Sequence, residues 1–316
     1  MMETGAETRR KGFSLLRLLV SEDVAAGLSA ADDRRLRALR WSVYIGLHLL
    51  CLAALWTGVS TTAIVSAFVL YVVRMFFVTA FYHRYFSHKA FKASRVFQFL
   101  MAVAGCTAGQ RGPLWWAGHH RQHHAHADDP DDPHSPKHKG MLAAHMGWFL
   151  ETENCATRWK YLRDLERFPE LVWINRYDFL PFLALGALVY GVGAWLAVVA
   201  PELGTDGPQM LVVGFLWSTI ALYHGTYTIN SLAHRFGKRR FATKDDSRNN
   251  AWLALITLGE GWHNNHHFYP GSARQGFRWW EFDPTYAGLW MLARLGLVTE
   301  LRPVPAWVIG AWANRQ

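Results

Sequence analysis

The chain of 316 residues has little cysteine: only Cys51, Cys106 and Cys155 occur, and no two of them form a CxxC pair. This scarcity argues against a disulfide framework and against a zinc site built from cysteines. The first 40 residues also lack a long apolar stretch, and their short patch FSLLRLLV is expected to form an interfacial amphipathic turn. No cleavable signal peptide is therefore expected there.

No compact basic patch interleaved with aromatic residues is visible, although the formal net charge is +9. Lysine and arginine instead flank long apolar blocks, and 51% of all residues are hydrophobic. This arrangement argues against nucleic-acid binding. It indicates a membrane protein whose basic residues contact anionic lipid head groups.

Four apolar segments are long enough to cross a bilayer, which takes about 20 helical residues. They occupy residues 41–58, 62–82, 180–200 and 209–230, and short loops join them into two hairpins. A further apolar run, residues 96–109, is too short to span comfortably and is expected to form a re-entrant or interfacial helix. The sequence therefore predicts an all-α integral membrane protein with four transmembrane helices.

The distribution of positive charge predicts the orientation of the two hairpins. Arginines or lysines precede the first span and follow the second and the fourth, whereas neither hairpin tip contains one. Because positive residues are retained on the cytoplasmic side, both termini are predicted to be cytoplasmic. One domain is expected, with an N-terminal cytosolic segment, two hairpins and two cytosolic segments that form a helical cap. The N-terminal cytosolic segment is residues 1–40, and the two hairpins are residues 41–82 and 180–230. The two cytosolic segments of the cap are residues 83–179 and 231–316.

Of the 16 histidines, only His48 and His224 fall inside the predicted spans, so the other fourteen share one side of the membrane. A first motif, HRYFSH, places His83 and His88 where the second span ends. Residues five apart in a straight helix differ by about 140° around the axis. Both imidazoles can face one centre only if the helix ends or distorts between them.

Two further motifs share the pattern HxxHH, in HHRQHHAH and in GEGWHNNHH. Residues at i, i+3 and i+4 share one helix face, so three imidazoles can converge there. A fourth motif, NSLAH, adds a histidine and an asparagine where the fourth span ends. The residues concerned are His120, His123, His124, Asn230, His234, His263, His266 and His267.

Nine histidines exceed what one tetrahedral or octahedral site needs and suit two metal ions in one pocket. Imidazole binds iron, zinc, copper and nickel alike. An all-imidazole pair of metals beside apolar helices nevertheless favours dioxygen chemistry on an apolar substrate, for which iron is expected. Zinc or manganese can replace it in a purified sample.

With these motifs the chain resembles the membrane-bound acyl-CoA desaturases, the stearoyl-CoA desaturase-like group, in its bacterial branch. The match runs through HRYFSH, WWAGHHRQHH, NSLAH and GEGWHNNHH, in that order, and covers roughly residues 40 to 300. The resemblance implies four transmembrane helices, a cytosolic cap and a di-iron centre between them, in the bacterial inner membrane. It implies the following ligands: His83, His88, His120, His123, His124, His234, His263, His266, His267, and Asn230 through water.

The resemblance further implies insertion of a cis double bond, at Δ9, into a saturated acyl chain carried by coenzyme A or another acyl carrier. Dioxygen is the co-substrate. Neither a fused haem segment nor a flavin or nicotinamide fingerprint is visible, so a separate ferredoxin or cytochrome b5-like protein is expected to supply the electrons. The acyl tunnel is expected between the second and fourth spans and the aromatic residues of PLWWAGHH.

Other polar residues are expected to support the site. Carboxylates often orient ligating imidazoles, and candidates are Glu260, Asp283 and the stretch ADDPDD, which equally suits a solvated loop. Arg121 matches a family arginine near the thioester. Arg74 lies deep in the second span, where a charge is costly, so it is expected to pair with a buried polar group. Both arginines are candidate substrate contacts.

Two other functions fit parts of the pattern. A membrane hydroxylase or ketolase uses the same histidine scaffold, and a histidine-rich metal transporter or sensor would also bind metal. Transporters place ionisable ligands near the bilayer midplane, whereas these motifs lie outside the spans.

Five histidines have no ligand counterpart in the family pattern and are expected near the ligands or at the surface: His119, His126, His134, His138 and His145.

Overall fold

The computed structural model describes residues 29–313, and these residues are mostly helical. The patch FSLLRLLV lies outside the described residues. The main elements are α1 (Ala30–Thr57), α2 (Thr61–Ser87), β1 (Lys92–Ala93), α3 (Arg95–Cys106), α4 (Pro113–His126), α5 (Pro136–Lys139), α6 (Pro169–Arg176), α7 (Phe179–Val199), α8 (207–231), α9 (Ala251–Ile256), α10 (His263–Phe268), α11 (Pro284–Arg294), β2 (Val298–Thr299) and α12 (Ala306–Ala313). Short 3-10 or π-helical turns lie at Ala143–Gly147, Trp148–Leu150, Thr152–Asn154, Trp159–Tyr161, Pro201–Leu203 and Leu232–His234. The two short strands pair antiparallel.

Three helices of the described chain, α1, α2 and α7, are long and apolar enough to cross a membrane. Large apolar side chains cover their outer surfaces, including Trp56, Phe68 and Val198. Such a surface suits lipid, because a soluble monomer rarely exposes large contiguous apolar patches. The three helices contain the predicted spans 41–58, 62–82 and 180–200, except that α1 and α7 each end one residue earlier than predicted. Helix α1 begins earlier than predicted, because its charged first turns continue the helix from the N-cap residue Ser29.

The fourth predicted span, 209–230, falls in α8, which combines Gly207–Gln209, the π-helical Met210–Trp217 and Ser218–Ser231. It is not among the three helices that are long and apolar enough. Helix α8 packs against both α2 and α7, and its polar side chains turn inward, with Ser218 and Thr219 fully buried. A fourth transmembrane crossing remains a prediction.

Arg74 explains part of this polarity. Its guanidinium donates to Ser218 Oγ at 2.6 Å and to Thr219 Oγ1 at 2.8 Å, and it lies 5.2 Å above the ring of Phe215. The side chain is 1% exposed. Arg74 therefore has the buried polar partners that its position in the span predicted, and it ties α2 to α8.

The remaining elements form a cap around the end of α2. The largest apolar core packs the last turns of α2 against α3, α4 and α6, and includes Tyr82, Phe86, Leu114 and Leu171. Helix α3, the short apolar helix predicted at 96–109, belongs to this core through Met101. The cap thus fixes the end of α2, where the first histidine motif lies.

Candidate metal centre

The predicted ligands form two clusters of imidazoles. In the first cluster, one ring nitrogen of each of five histidines lies within 4.8 Å of every other. Facing Nε2 atoms are 2.8–3.0 Å apart around this cluster. Its members are His83, His88, His120, His124 and His266.

The second cluster meets the same 4.8 Å limit with four histidines. The Nε2 atoms of His234 and His263 are 3.0 Å apart, and those of His123 and His267 are 3.4 Å apart. All nine predicted histidines therefore converge on two neighbouring points, each surrounded by ring nitrogens. The five other histidines outside the spans belong to neither cluster.

A π-helical segment, Phe77–Ser87, brings His83 and His88 to one face of α2. A π-helix forms hydrogen bonds between residues five apart, and the His88 N–H donates to the carbonyl oxygen of His83 at 3.3 Å. The helix ends at His88. The distortion that the HRYFSH spacing required is therefore a change of helix type followed by termination.

The two HxxHH motifs divide between the clusters in opposite ways. Helix α4 gives His120 and His124 to the first cluster and His123 to the second, whereas α10 gives only His266 to the first. At 3.6 residues per turn, positions i and i+4 differ by about 40°, and i+3 and i+4 by about 100°. Each helix therefore lies between the two points and faces both.

Glycines permit the tight entry into α10. Gly259 has φ +117°, a conformation that other residues rarely adopt. A Cβ atom on Gly261 would lie 2.0 Å from the backbone nitrogen of Ala254. Only glycines allow the GEG segment to pack against α9 and place His263 beside His234.

Four carboxylates hold the outward ring nitrogens of the clustered histidines. Glu260 lies 2.5 Å from Nδ1 of His83. An aspartate occupies the equivalent position for three others, at 2.8–2.9 Å. The three pairs are Asp132 with His123, Asp128 with His234, and Asp245 with His267. A carboxylate that accepts from Nδ1–H leaves the Nε2 lone pair free to face the centre.

Three of the predicted carboxylates thus contact the clusters, and the others do not. Asp129 and Asp131 are exposed, and Asp283 pairs with Arg84 at 2.9 Å. Sequence reasoning missed Asp245, which lies in a connection between α8 and α9 without a histidine motif. Its neighbour in sequence, Asp246, is close to half exposed, and nothing in the local sequence distinguishes the two.

The pKa is lowered for six of the nine clustered imidazoles, which favours their neutral form, whereas Asp132 raises the pKa of His123 against the effect of burial. Burial, together with the neighbouring imidazoles, lowers the pKa of His120, His124 and His266 well below its usual value. Burial lowers the pKa of His267 to about 4, although Asp245 favours the charged form. Neutral imidazole is the form that binds metal ions.

A buried ion-pair network anchors the third motif to α2. Arg84 lies 3.0 Å from Glu260 and 2.9 Å from Asp283, and all three side chains are at most 6% exposed. Glu260 therefore contacts both a clustered imidazole and this arginine. The network connects the π-helical end of α2 with the loops on either side of α10.

Arg121 also stabilises the end of α2 through hydrogen bonds. Its guanidinium donates to the carbonyls of Phe86 and Ser87 and, in bidentate fashion, to Asp164 at 2.6 and 3.1 Å. These bonds hold the end of α2 just before His88. Neither Arg121 nor Arg74 lines the apolar cavity beside the clusters, so the geometry does not place these two candidate contacts at the substrate.

An apolar cavity of about 460 Å³ leads to the first cluster. Its lining includes Tyr44, Trp116, Tyr223, His120 and Asn230. A smaller space of about 40 Å³ continues from it towards His83, and shares Trp116, His120 and Asn230 with it. Asn230, the predicted water-mediated ligand, thus lies where the two spaces meet.

The cavity walls differ from the expected ones in one respect. The residues of PLWWAGHH and helix α8 line the large cavity as predicted, but the other wall is α1, through Arg40, Val43 and Leu47, and not α2. Helix α2 lines only the small space, through Met75, Val78 and Thr79. Arg74 binds α8 to α2, and the larger gap lies on the side of α1.

The model of the fatty acid desaturase family matches residues 59–298. An sn-2 palmitoyl-lipid 9-desaturase of Nostoc sp. is 34% identical over 84% of this chain and 92% of its own length. An acyl-CoA 5-desaturase of Anemone leveillei is 35% identical over 81% of this chain and 77% of its own length. A hex-5-enoyl-[acyl-carrier protein] acetylenase of Moorena producens is 33% identical over 81% of this chain and 82% of its own length. The chain belongs to the fatty acid desaturase family.

Proposed function

We propose that the protein is a dioxygen-dependent desaturase that inserts a cis double bond, at Δ9, into a saturated fatty acyl chain. The convergence of nine imidazoles in sets of five and four at the end of an apolar cavity is the observation that carries this proposal. A hydroxylase or ketolase shares such a scaffold, but the named relatives at 33–35% identity are desaturases and an acetylenase.

Each cluster would hold one iron ion. Converging ring nitrogens, the depressed pKa values and the carboxylates on the outward nitrogens fit a metal site, because binding requires deprotonated, oriented imidazoles. Two iron ions held there would supply the activation of dioxygen and the removal of hydrogen from an unactivated methylene. Asn230, beside His120 at the cavity junction, would reach one of the ions through a water molecule.

The chain itself supplies position and a dry environment. Trp116 and Tyr223 enclose the acyl chain in the apolar cavity and exclude water. His120 and Asn230 at its inner end bring two adjacent methylenes next to the clusters, a positioning effect that lowers the barrier without new chemistry. In the overall reaction the chain loses two hydrogens, and dioxygen takes these with two electrons and two protons to form two water molecules.

The acyl carrier proposed is coenzyme A, and the electron donor is a separate ferredoxin or cytochrome b5-like protein. The names of the relatives include an acyl-lipid, an acyl-CoA and an acyl-carrier-protein substrate, so the carrier has to be tested directly. In the proposed topology, both termini and both clusters are on the cytoplasmic side of the bacterial inner membrane. The positive residues in the first turns of α1 and after the end of α2 support this orientation.

Product analysis tests the proposal. The protein is expressed in a host that lacks unsaturated fatty acids, and its fatty acids are analysed by mass spectrometry with localisation of the double bonds. Loss of two hydrogens between carbons 9 and 10 supports the proposal, whereas gain of one oxygen identifies a hydroxylase. Purified protein with iron and a reduced ferredoxin is then given either stearoyl-CoA or a stearoyl phospholipid. If only the phospholipid is desaturated, the acyl carrier is a phospholipid and not coenzyme A.

A further inference from the structure

Two short helices of the C-terminal segment, α9 and α11, contact α2 within its apolar length, although this segment was predicted to be cytosolic. The Tyr71 hydroxyl donates to the carbonyl oxygen of Ile256, at the end of α9, at 2.6 Å. Thr79 Oγ1 and Thr285 Oγ1, at the start of α11, are 2.8 Å apart. Both contacts fall inside Thr61–Ser87, the helix long and apolar enough to span a membrane.

The positions of Tyr71 and Thr79 along α2 indicate how deep in a bilayer these contacts would lie. At 1.5 Å per residue, Tyr71 lies about 15 Å from Thr61, where the helix begins, and Thr79 about 27 Å. The hydrocarbon core of a bilayer is about 30 Å thick. If α2 crosses the bilayer from Thr61, the end of α9 is near the midplane and the start of α11 is near the surface on the side of the histidine clusters.

The side chains of α9 and α11 suit that depth. Trp252 is 80% exposed, Leu255 52% and Met291 58%, and Trp290 is exposed as well. The segment AWLALITL that contains α9 has no charged residue. Phe68 and Val69 on α2 are likewise exposed. Together Trp252, Leu255, Trp290 and Met291 are named the C-terminal apolar surface.

The backbone carbonyl groups at the end of α9 also have hydrogen-bond partners within the protein, as a lipid environment requires. The Ile256 carbonyl accepts from Tyr71, and the Leu258 carbonyl accepts from both the backbone N–H and the hydroxyl of Thr285, at 3.1 and 2.8 Å. In hydrocarbon an unpaired carbonyl costs several kcal/mol, so backbone that leaves a helix there needs protein partners. A helix end in water would not need a tyrosine from a neighbouring helix.

We propose that α9 and α11 insert into the leaflet on the side of the histidine clusters, and that lipid acyl chains cover the C-terminal apolar surface. The segment predicted as a wholly cytosolic cap is then partly embedded. His263, His266 and His267 follow α9 directly, so this insertion holds the third histidine motif at the boundary of the membrane. The proposal rests on α2 crossing the bilayer and not on the reaction at the clusters.

Spin labels measure this insertion without reference to activity. Single cysteines replace Trp252, Leu255 or Met291 in a Cys51→Ala background, since the other two cysteines are buried. Phe68→Cys on α2 is the lipid control, and Glu166→Cys, at an exposed position between α4 and α6, is the water control. Each labelled protein is reconstituted in phosphatidylcholine vesicles, and collision with dioxygen and with a nickel chelate is measured by power saturation.

Labels at 252, 255 and 291 are expected to collide with dioxygen several-fold more than with the nickel chelate, as at 68, whereas the label at 166 shows the reverse. Nickel accessibility at 252 or 255 equal to that at 166 would overturn the proposal. Low collision with both reagents would also overturn it, because a protein chain and not lipid would then cover the surface. In addition, Tyr71→Phe is expected to raise nickel collision at 255, since the Ile256 carbonyl then needs water as its partner.

Discussion

His88 donates its backbone N–H to the carbonyl oxygen of His83 at 3.3 Å, across one turn of π-helix. In an α-helix, residues five apart would differ by about 140° around the axis. The π-helical turn brings them closer to one face, so both imidazoles enter the first cluster. The cluster therefore depends on a local change of helix type as much as on the residues that compose it.

Removal of His88 is expected to empty the first site and spare the second. His88→Ala should lower bound iron from about two atoms per chain to about one, because the second cluster takes no ligand from α2. Iron is measured by plasma emission spectrometry on purified protein. His126→Ala is the matched control, since His126 ends α4 but belongs to neither cluster. Equal iron in both variants would contradict the assignment of His88.

Asp245 is expected to orient His267 through the 2.9 Å contact with its Nδ1 atom. Loss of such a partner weakens metal binding roughly 10- to 100-fold, so Asp245→Asn should lose iron to a chelator at correspondingly lower concentration. Asp246→Asn provides the control, because the Asp246 side chain lies 3.7 Å from Arg239 at the surface. If both variants resist the chelator equally, Asp245 has no orienting role.

Arg84 is expected to be essential for stability. Arg84→Met leaves Glu260 and Asp283 as buried carboxylates without their cation, a change that costs about 3–5 kcal/mol. Thermal unfolding in detergent should therefore begin at a clearly lower temperature. Lys92→Met removes the Lys92–Glu300 pair, whose side chains are 69% and 63% exposed, and should shift unfolding little, since surface pairs contribute about 0–1 kcal/mol. Similar shifts for the two variants would argue against the network.

The wall formed by α1 is expected to set the length of the acyl chain that fits. Leu47→Trp fills part of the large cavity and should favour palmitoyl over stearoyl substrate. Methylenes in an apolar pocket contribute about 1–3 kcal/mol, so the ratio of products should change on the order of tenfold. Leu49→Trp, on the exposed side of α1, should leave the ratio unchanged. An unchanged ratio in both variants would place the acyl chain elsewhere.

Metal-free protein is expected to lose stability below neutral pH. Burial lowers the pKa of His119 to about 3 and that of His267 to about 4. Because their usual pKa is 6.5, the unfolded chain binds more protons than the folded one between these values, and stability falls as the pH decreases from about 7 towards 4. Each such histidine contributes up to about 1.4 kcal/mol per pH unit in that window.

The measurement is chemical denaturation of chelated protein at a series of pH values. His119→Gln, at a buried histidine outside both clusters, should reduce the slope by about one proton. A slope that is flat in the wild-type protein, or identical in the variant, would show that His119 does not titrate in this way.

Some features of this protein follow from the sequence alone. The spacing of HRYFSH required a distorted helix, the four motifs identified all nine histidines that converge, and the apolar blocks located α1, α2 and α7. The family to which the chain belongs was identified from the same motifs. These features are local or depend on order along the chain, so periodicity and charge distribution are enough to predict them.

Only the tertiary structure decided how the histidines divide into five and four, that Asp245 contacts His267, and that α1 forms a cavity wall. Helical periodicity states which side chains share a face, but not which points that face meets. Those points depend on how α4 and α10 cross, on the π-helical end of α2, and on Arg74, which binds α8 to α2 across 144 and 145 positions of sequence. Contacts between distant segments arise from packing, and no pattern within one segment encodes them.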